Sequence, residues 1–259
     1  MGRNHRVVSK SQIFGTVLCS FLACLGISEG RAQGERYSAR STLSVFALYS
    51  NDSSHIILGV SENRKLAGIG AGYSLRMAGN SFAEWDWEPE VRPLQLIQEP
   101  WARGSVDVVQ AVGIYPAGTG PFDGQAMKNC TSATTVATTQ VAPGDFYTES
   151  ITQQCYSRWT YAGGISPLGQ RVSFAKRHRW QPFLLANAGF VVSPRDVPHT
   201  DSSRFNFTFE GGAGLEWFQD HRHSWALDYR LHHLSNAYTG EFNPGIDSQI
   251  FRISYRLAR

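Results

Sequence analysis

Three residues near the C-terminal end of the chain have side chains of the types that hydrolyse esters. His233 and Ser235 stand two positions apart, and Asp247 follows them after a short segment rich in polar residues. A serine hydroxyl becomes a nucleophile when a histidine accepts its proton, and a carboxylate orients that histidine and stabilises its cation. If the fold brings the three side chains together, they form a Ser-His-Asp set that can transfer an acyl group to water.

Each of the three residues also has a structural interpretation. A lone histidine near a strand end often serves only as a hydrogen-bonding residue, and a serine at a strand-to-loop junction commonly forms a turn. An aspartate before a strand often closes an Asx-turn. Glu241 lies in the same loop as Asp247 and competes with it for His233. The residues alone therefore leave open whether the set is catalytic and which carboxylate orients the histidine.

Apolar and polar side chains alternate around this set, as in β-strands with one apolar face. One apolar face consists of Trp225, Leu227, Tyr229 and Leu231, and another of Phe251, Ile253, Tyr255 and Leu257. A step of two residues keeps side chains on one face, so His233 and Ser235 continue the first face and Asp247 the second. Pairing around a loop near Gly240 then places Asp247 opposite His233, at about 5 Å between Cβ atoms.

The alternation predicts an all-β chain that forms an eight-stranded antiparallel transmembrane β-barrel of the outer-membrane type. Apolar side chains of such a barrel face lipid, and polar ones fill its lumen. Short turns on one rim alternate with long connections on the other, as in outer-membrane barrels. The strands are expected at about 42–50 (with 60 as an alternative end), 65–77, 82–97, 157–174 with a break at 166–169, 180–192, 204–218, 224–235 and 248–257.

The polar faces of these strands carry charges of both signs. We expect these residues to form ion pairs inside the barrel rather than a second active site, because unpaired buried charges are costly. The same charges argue against a soluble lipocalin-like barrel, whose lumen is apolar. The set comprises Glu210, Glu216, Asp228, Arg230, Arg252 and Arg256.

The first 32 residues have the three-part layout of a secretory signal peptide. A cationic stretch at 1–10 precedes an apolar run at 13–27 and a small-residue cleavage site at 30–32. The run is short for a spanning helix; a retained signal anchor and lipidation at Cys24 are the alternatives. The predicted domains are therefore a signal peptide at 1–32 and a single β-barrel domain at 33–259.

The net charge of +3 belongs to the predicted signal peptide, because removing that peptide leaves equal numbers of acidic and basic residues. A neutral mature chain lacks the basic excess that nucleic-acid binding requires. We therefore expect no nucleic-acid partner.

The segment at about 98–156 is rich in Thr, Gly and Ala and is predicted to be a long extracellular loop. Whether it extends the neighbouring strands or has no regular structure stays open. It holds Cys130 and Cys155, the two cysteines outside the signal peptide. Export to an oxidising compartment favours a disulfide between them over two unpaired thiols.

The remaining histidines do not form a metal-binding pattern. His199, His221 and His223 have no cysteines or carboxylates at metal-ligand spacing. We expect neither a metal nor a cofactor, since acyl transfer to water through a serine needs none.

Two segments that carry the candidate residues resemble the lipid A 3-O-deacylase family (PagL), also called acyloxyacyl hydrolases. They are His232-His233-Leu234-Ser235-Asn236-Ala237 and Asn243-Pro244-Gly245-Ile246-Asp247-Ser248. Supporting segments lie at 163–169, 181–183 and 204–208. The resemblance extends from about 40 to 259 and is densest from 157 onward.

The resemblance implies an eight-stranded outer-membrane barrel that hydrolyses an ester-linked 3-hydroxyacyl chain of lipid A. It makes His233 the base and Ser235 the nucleophile, and it places Asp247 where the best-known members have glutamate. Asn236 matches a residue that contributes to oxyanion stabilisation. Tyr238 stands where a small residue is expected, and the segment at 98–156 is a second departure.

The leading hypothesis is thus a serine esterase of the bacterial outer membrane whose substrate is lipid A within lipopolysaccharide. The alternative is a non-enzymatic outer-membrane barrel with a structural or partner-binding role. The oligomeric state is not fixed by the sequence.

Overall fold

The computed structural model of the protein describes Tyr37, residues 39–111 and residues 118–259. The predicted signal peptide at 1–32 lies outside the described residues. All regular structure in the described part is β, and no helix there is long and apolar enough to cross a membrane. The strands are β1 (Ser41–Ser50), β2 (Lys65–Gly79), β3 (Ala83–Trp87), β4 (Glu90–Ala111), β5 (Gly118–Gln125), β6 (Ala133–Ala142), β7 (Asp145–Ser166), β8 (Gln170–Phe174), β9 (Trp180–Val197), β10 (Ser203–Phe218), β11 (His223–Ser235) and β12 (Ile246–Ala258).

The strands close into a ring of eight antiparallel positions, which confirms the predicted eight-stranded barrel. The order around the ring is β1, β12, β11, β10, β9, β7 with β8, β4 with β3, and β2. Closure is complete because β1 pairs with β12 on one side and with β2 on the other. A closed ring leaves no strand edge unpaired within the membrane, where unsatisfied backbone groups are costly.

Two ring positions are interrupted strands, and their interruptions lie side by side. The break between β7 and β8 falls where the sequence predicted it, whereas the strand predicted at 82–97 is also divided, at Glu88 and Pro89. Pro89 lacks the N–H that a continuous ladder would use. The Glu88 N–H instead donates to the carbonyl of Gly169, 2.9 Å away, across the two breaks.

The apolar and polar side chains lie on the faces of the barrel wall that the sequence predicts. Apolar side chains point outward, and Leu227, Phe251 and Ile253 are 60%, 59% and 51% exposed. The inward-pointing side chains include buried arginines and carboxylates such as Arg92, Glu210 and Arg230. An exposed apolar wall of this kind is the surface that an outer-membrane barrel turns toward lipid.

The inward-facing charges form the ion-pair network predicted from the sequence. Arg230 binds Asp228 at 2.6 Å and Glu210 at 2.7 Å, and Arg92 binds Glu210 at 2.5 Å. At the other end of the lumen, Arg256 binds Glu88 at 3.0 Å and Glu216 at 3.2 Å. Each of these charges has a partner of opposite sign, which offsets the cost of removing it from water.

The segment at 98–156, predicted as a long loop, is largely β-structure, and of the two alternatives left open it is the extension of the neighbouring strands that occurs. Strands β4 and β7 continue beyond the ring as one ladder that reaches Ala111 and Tyr147, and β5 and β6 pair on its two sides. Threonine is β-branched and suits such a sheet, and Thr138 and Thr148 form a cross-strand hydrogen bond of 2.9 Å. The predicted disulfide between Cys130 and Cys155 is confirmed. It links the segment that precedes β6 to strand β7.

The connection between β1 and β2, residues 51–64, folds back onto the start of β12. Strand β1 ends at Ser50, so the alternative end at 60 is wrong. Isolated bridges join Ser53 to Ser248 and Ser61 to Ile246. This contact places the connection directly beside Asp247.

Candidate active site

Strands β11 and β12 place His233 directly opposite Asp247 in the ladder. The Nδ1 atom of His233 lies 2.6 Å from Oδ1 of Asp247, and both residues are buried. When Nδ1 carries the proton that it donates to the carboxylate, Nε2 keeps a lone pair that can accept a proton from a hydroxyl. The pair therefore has the arrangement of a general base with its orienting group.

Glu241, the competing carboxylate, lies in the connection between β11 and β12, and its side chain is exposed. Among the described residues, the carboxylate hydrogen-bonded to His233 is that of Asp247. The shorter aspartate side chain reaches the imidazole because the two residues are direct cross-strand partners.

Ser235 ends β11, on the same side of the strand as His233, and is half-buried. Its cross-strand partner on β10 is Phe207. Within the part of the chain that the structure describes, its hydroxyl makes no hydrogen bond, so the structure joins His233 to Asp247 but does not join Ser235 to His233. Hydrogen bonds between catalytic groups often tighten only when substrate is bound.

A backbone feature that sequence reasoning missed holds the second oxygen of Asp247. The Oδ2 atom accepts hydrogen bonds from four consecutive backbone N–H groups, those of residues 56 to 59, at 3.2, 2.5, 2.9 and 2.9 Å. The available signal was the run Ile56-Ile57-Leu58, which breaks the alternation and precedes Gly59. These bonds fix the carboxylate and favour its charged form.

Arg64 anchors the connection that carries these N–H groups. Its buried guanidinium donates to the carbonyls of Glu62 at 2.6 Å, Met127 at 2.8 Å, Ala126 at 2.8 Å and Pro198 at 3.1 Å. Burial lowers the pKa of Arg64 to about 10, and the nearby carboxylates of Glu99 and Glu62 oppose this shift. Arg64 thus remains charged at neutral pH. It joins the connection at 51–64 to the segments that contain Met127 and Pro198.

The side chain of Asn236 is buried and engaged with its own loop. Its Nδ2 donates to the Phe242 carbonyl at 2.8 Å, and its Oδ1 accepts from the Tyr238 N–H at 2.8 Å. The Asn236 N–H donates to Oδ1 of Asn243 at 3.1 Å. The structure therefore gives Asn236 a loop-organising position, and a role toward the oxyanion stays a prediction.

The backbone at Tyr238, where the resemblance leads us to expect a small residue, has a conformation that favours glycine. Ala237 and Tyr238 have φ values of 50° and 62°, in the left-handed region that glycine adopts most easily. The Tyr238 side chain is 80% exposed, so its ring extends away from the loop.

Aromatic residues lie beside Ser235, on its β10 side, at the outer surface of the barrel. Phe207 packs edge to face on Phe205 with ring centroids 5.1 Å apart, and Phe190 stacks on Phe205 at 5.2 Å. Phe209, opposite His233 in the ladder, is exposed on the same side. Ser235 thus has, on its β10 side, an apolar surface suited to an acyl chain.

The other histidines considered from the sequence lie apart from this site. Two of them lie at the barrel rim that carries the short turns. The Nδ1 atom of His223 is 2.8 Å from the Asp220 carboxylate, and the His221 ring stacks on Tyr37 with ring centroids 4.9 Å apart. His199 contacts Asp201 at 3.5 Å. No group of metal-binding side chains occurs in the described ranges.

Comparison with known proteins supports the resemblance read from the sequence. Residues 132–256 match the family model of lipid A 3-O-deacylase (PagL), which confirms the predicted family resemblance over that range. No curated protein matches the chain. Similar solved structures include Neisserial surface protein A (12% identity, 85% of this chain and 98% of that chain, TM-score 0.41) and the outer membrane protein OprG from Pseudomonas aeruginosa (10% identity, 88% and 98%, TM-score 0.36).

Proposed function

Because residues 132–256 match the lipid A 3-O-deacylase family, we propose that the protein is an outer-membrane serine esterase. Its substrate is lipid A, from which it hydrolyses an ester-linked 3-hydroxyacyl chain. The supporting observation is the 2.6 Å contact between His233 and Asp247 beside Ser235, at the end of the lipid-facing wall. Export directed by residues 1–32 would deliver the barrel to the outer membrane.

The proposed reaction proceeds through an acyl-enzyme. The Ser235 oxygen attacks the ester carbonyl carbon while His233 takes the hydroxyl proton, and Asp247 stabilises the resulting imidazolium. Collapse of the tetrahedral intermediate breaks the ester bond, and His233 protonates the departing sugar oxygen. Water then attacks the carbonyl carbon of the acyl-enzyme while His233 takes a proton from it. His233 gives this proton to the Ser235 oxygen as the ester bond breaks, which releases the 3-hydroxy fatty acid and regenerates Ser235.

The position of the site on the barrel supports a lipid substrate rather than a soluble one. Ser235 ends a strand whose outward side chains face lipid, and Phe207 and Phe205 border it. A lipid A molecule in the outer leaflet would present its acyl esters at the depth of this rim. Its acyl chain can then lie along the aromatic surface while the sugar stays in the polar headgroup region.

Mass spectrometry of lipid A tests the proposal. Cells that produce the wild-type protein are expected to lose one 3-hydroxyacyl group from lipid A, and cells that produce Ser235→Ala are expected to retain it. The variant must still migrate as a folded barrel, because loss of folding would explain inactivity by itself. Identical lipid A with and without the wild-type protein would favour the non-enzymatic alternative.

A further inference from the structure

The connection at 51–64 lies on the outer side of β12 rather than standing clear of the barrel. Asp247 belongs to the lipid-facing side of β12, with Phe251 and Ile253, yet it is completely buried. What buries it is the connection, since Val60 donates to the Pro244 carbonyl at 2.7 Å and residues 56 to 59 donate to Asp247 itself. The carboxylate is therefore shielded from lipid by backbone.

Shielding is necessary because an unpaired carboxylate on a lipid-facing surface is costly. The four N–H groups satisfy Oδ2 and leave Oδ1 for His233. A carboxylate held at both oxygens cannot rotate away from the imidazole. The connection thus fixes the direction in which Asp247 points.

Gly59 allows this close approach. A Cβ atom at position 59 would lie 2.6 Å from the Asp247 nitrogen, 2.8 Å from the Ile246 carbonyl carbon and 3.0 Å from Asp247 Cγ. Two of these neighbours are backbone atoms of β12, which cannot move aside without disturbing the ladder. A ring nitrogen of His55 lies 2.6 Å from the Gly59 carbonyl and closes the turn.

The other side of the same segment is apolar and exposed. Ile56, Ile57, Leu58 and Val60 are 39%, 45%, 72% and 40% exposed. The segment that carries them lies against Asp247, on the outward side of β12, at the rim where β11 ends with Ser235. An aliphatic cluster of this kind is unfavourable in water and favourable among acyl chains.

We propose that residues 55–60 form an Asp247 clamp that contacts outer-leaflet acyl chains. Its backbone positions Asp247 for the reaction, and its aliphatic side chains rest among the acyl chains that surround the barrel. Contact with lipid and the geometry of the His233–Asp247 pair are then coupled through one short segment. The catalytic consequence rests on the proposed function, whereas the clamp and its lipid contact do not.

Gly59→Ala tests the positioning role in the full-length mature barrel. Gly120→Ala is the matched control, because a Cβ atom added there meets no atom within 4 Å. If the wild type deacylates lipid A, Gly59→Ala is expected to lower kcat by about 10- to 100-fold with little change in KM, since small misplacements of catalytic groups have effects of this size. The Gly120→Ala control should stay within about twofold. An unchanged kcat in Gly59→Ala would overturn the proposal.

Hydrogen exchange tests the clamp without requiring activity. In the detergent-solubilised barrel, the amides of residues 56–59 are expected to be protected in the wild type and to exchange at least about tenfold faster in Asp247→Ala. Glu241→Ala, which removes the exposed carboxylate of the neighbouring loop, should leave this protection unchanged. Equal protection in wild type and Asp247→Ala would overturn the clamp. An inactive wild type with the expected exchange pattern would reject the proposed function and leave the clamp supported.

Spin labelling tests the lipid contact. A nitroxide on Leu58→Cys, in vesicles that contain lipopolysaccharide, is expected to collide with oxygen dissolved in the acyl chains and not with an aqueous nickel complex. A nitroxide on Glu241→Cys should show the opposite preference. A label at position 58 that behaves like the label at 241 would overturn the lipid contact.

Discussion

Replacing Asp247 by asparagine is expected to abolish most of the activity without removing a hydrogen-bonding side chain. The four N–H groups of residues 56 to 59 surround one carboxylate oxygen. In Asp247→Asn, these N–H donors can bond only to the oxygen of the amide group. The amide nitrogen must then face Nδ1 of His233. Two donors cannot bond to each other, and the imidazole therefore moves its proton to Nε2.

An imidazole with its proton on Nε2 cannot accept the proton of Ser235. A wrong tautomer of this kind costs about 10⁴-fold in kcat in the well-studied Ser-His-Asp template. Here we expect a loss of about 10³- to 10⁴-fold, equivalent to about 4–5.5 kcal/mol of transition-state stabilisation. KM should change little, because the carboxylate contacts the histidine rather than the lipid.

The assay is release of 3-hydroxy fatty acid from purified lipopolysaccharide in mixed micelles, measured as initial rates. Glu241→Gln is the control, because its exposed carboxylate makes no contact with His233 among the described residues. It should retain activity within about twofold. An Asp247→Asn protein with near wild-type kcat, or a Glu241→Gln protein that loses it, would refute the assignment of the orienting carboxylate.

Three further predictions concern stability. Arg230→Met leaves the carboxylates of Glu210 and Asp228 short of a partner in the lumen, and it should lower the free energy of unfolding by about 3–5 kcal/mol; an unchanged urea midpoint would contradict the network. Replacing Cys130 and Cys155 by serine removes a cross-link over 25 positions, worth about 3 kcal/mol; limited proteolysis should cut the outer sheet while the barrel stays intact. Tyr238→Gly relieves a left-handed backbone and should stabilise the barrel by up to about 1 kcal/mol; a lower melting temperature would contradict this.

The barrel was predictable because its signal is local. A two-residue period is readable within one strand, and the side on which Leu227 and Arg230 fall follows directly from it. The pairing of His233 with Asp247 could be predicted for the same reason. The register of a hairpin follows once the apolar face of each strand and the centre of the connecting loop are known. The divided strand at Pro89 was missed because alternation continues across the break.

The clamp on Asp247 was not predictable from these patterns. It depends on backbone N–H groups, which every residue except proline carries and which leave no mark in side-chain periodicity. It also joins residues 56–59 to a residue far along the chain, through a connection whose path is set by Arg64 and its carbonyl partners. For the segment at 98–156 the sequence left open whether it extends the neighbouring strands, because its threonine-rich, low-complexity part has no apolar face to show a period.

Covalent labelling of Ser235 tests the central claim most directly. The purified mature barrel would be treated with a long-chain alkyl fluorophosphonate, and the modified peptide would be identified by mass spectrometry. One adduct is expected, on Ser235; it should form in parallel with loss of deacylation, and its formation should be much slower in His233→Ala. Full inhibition with the adduct on a different residue, or full modification of Ser235 with deacylation unchanged, would contradict this assignment.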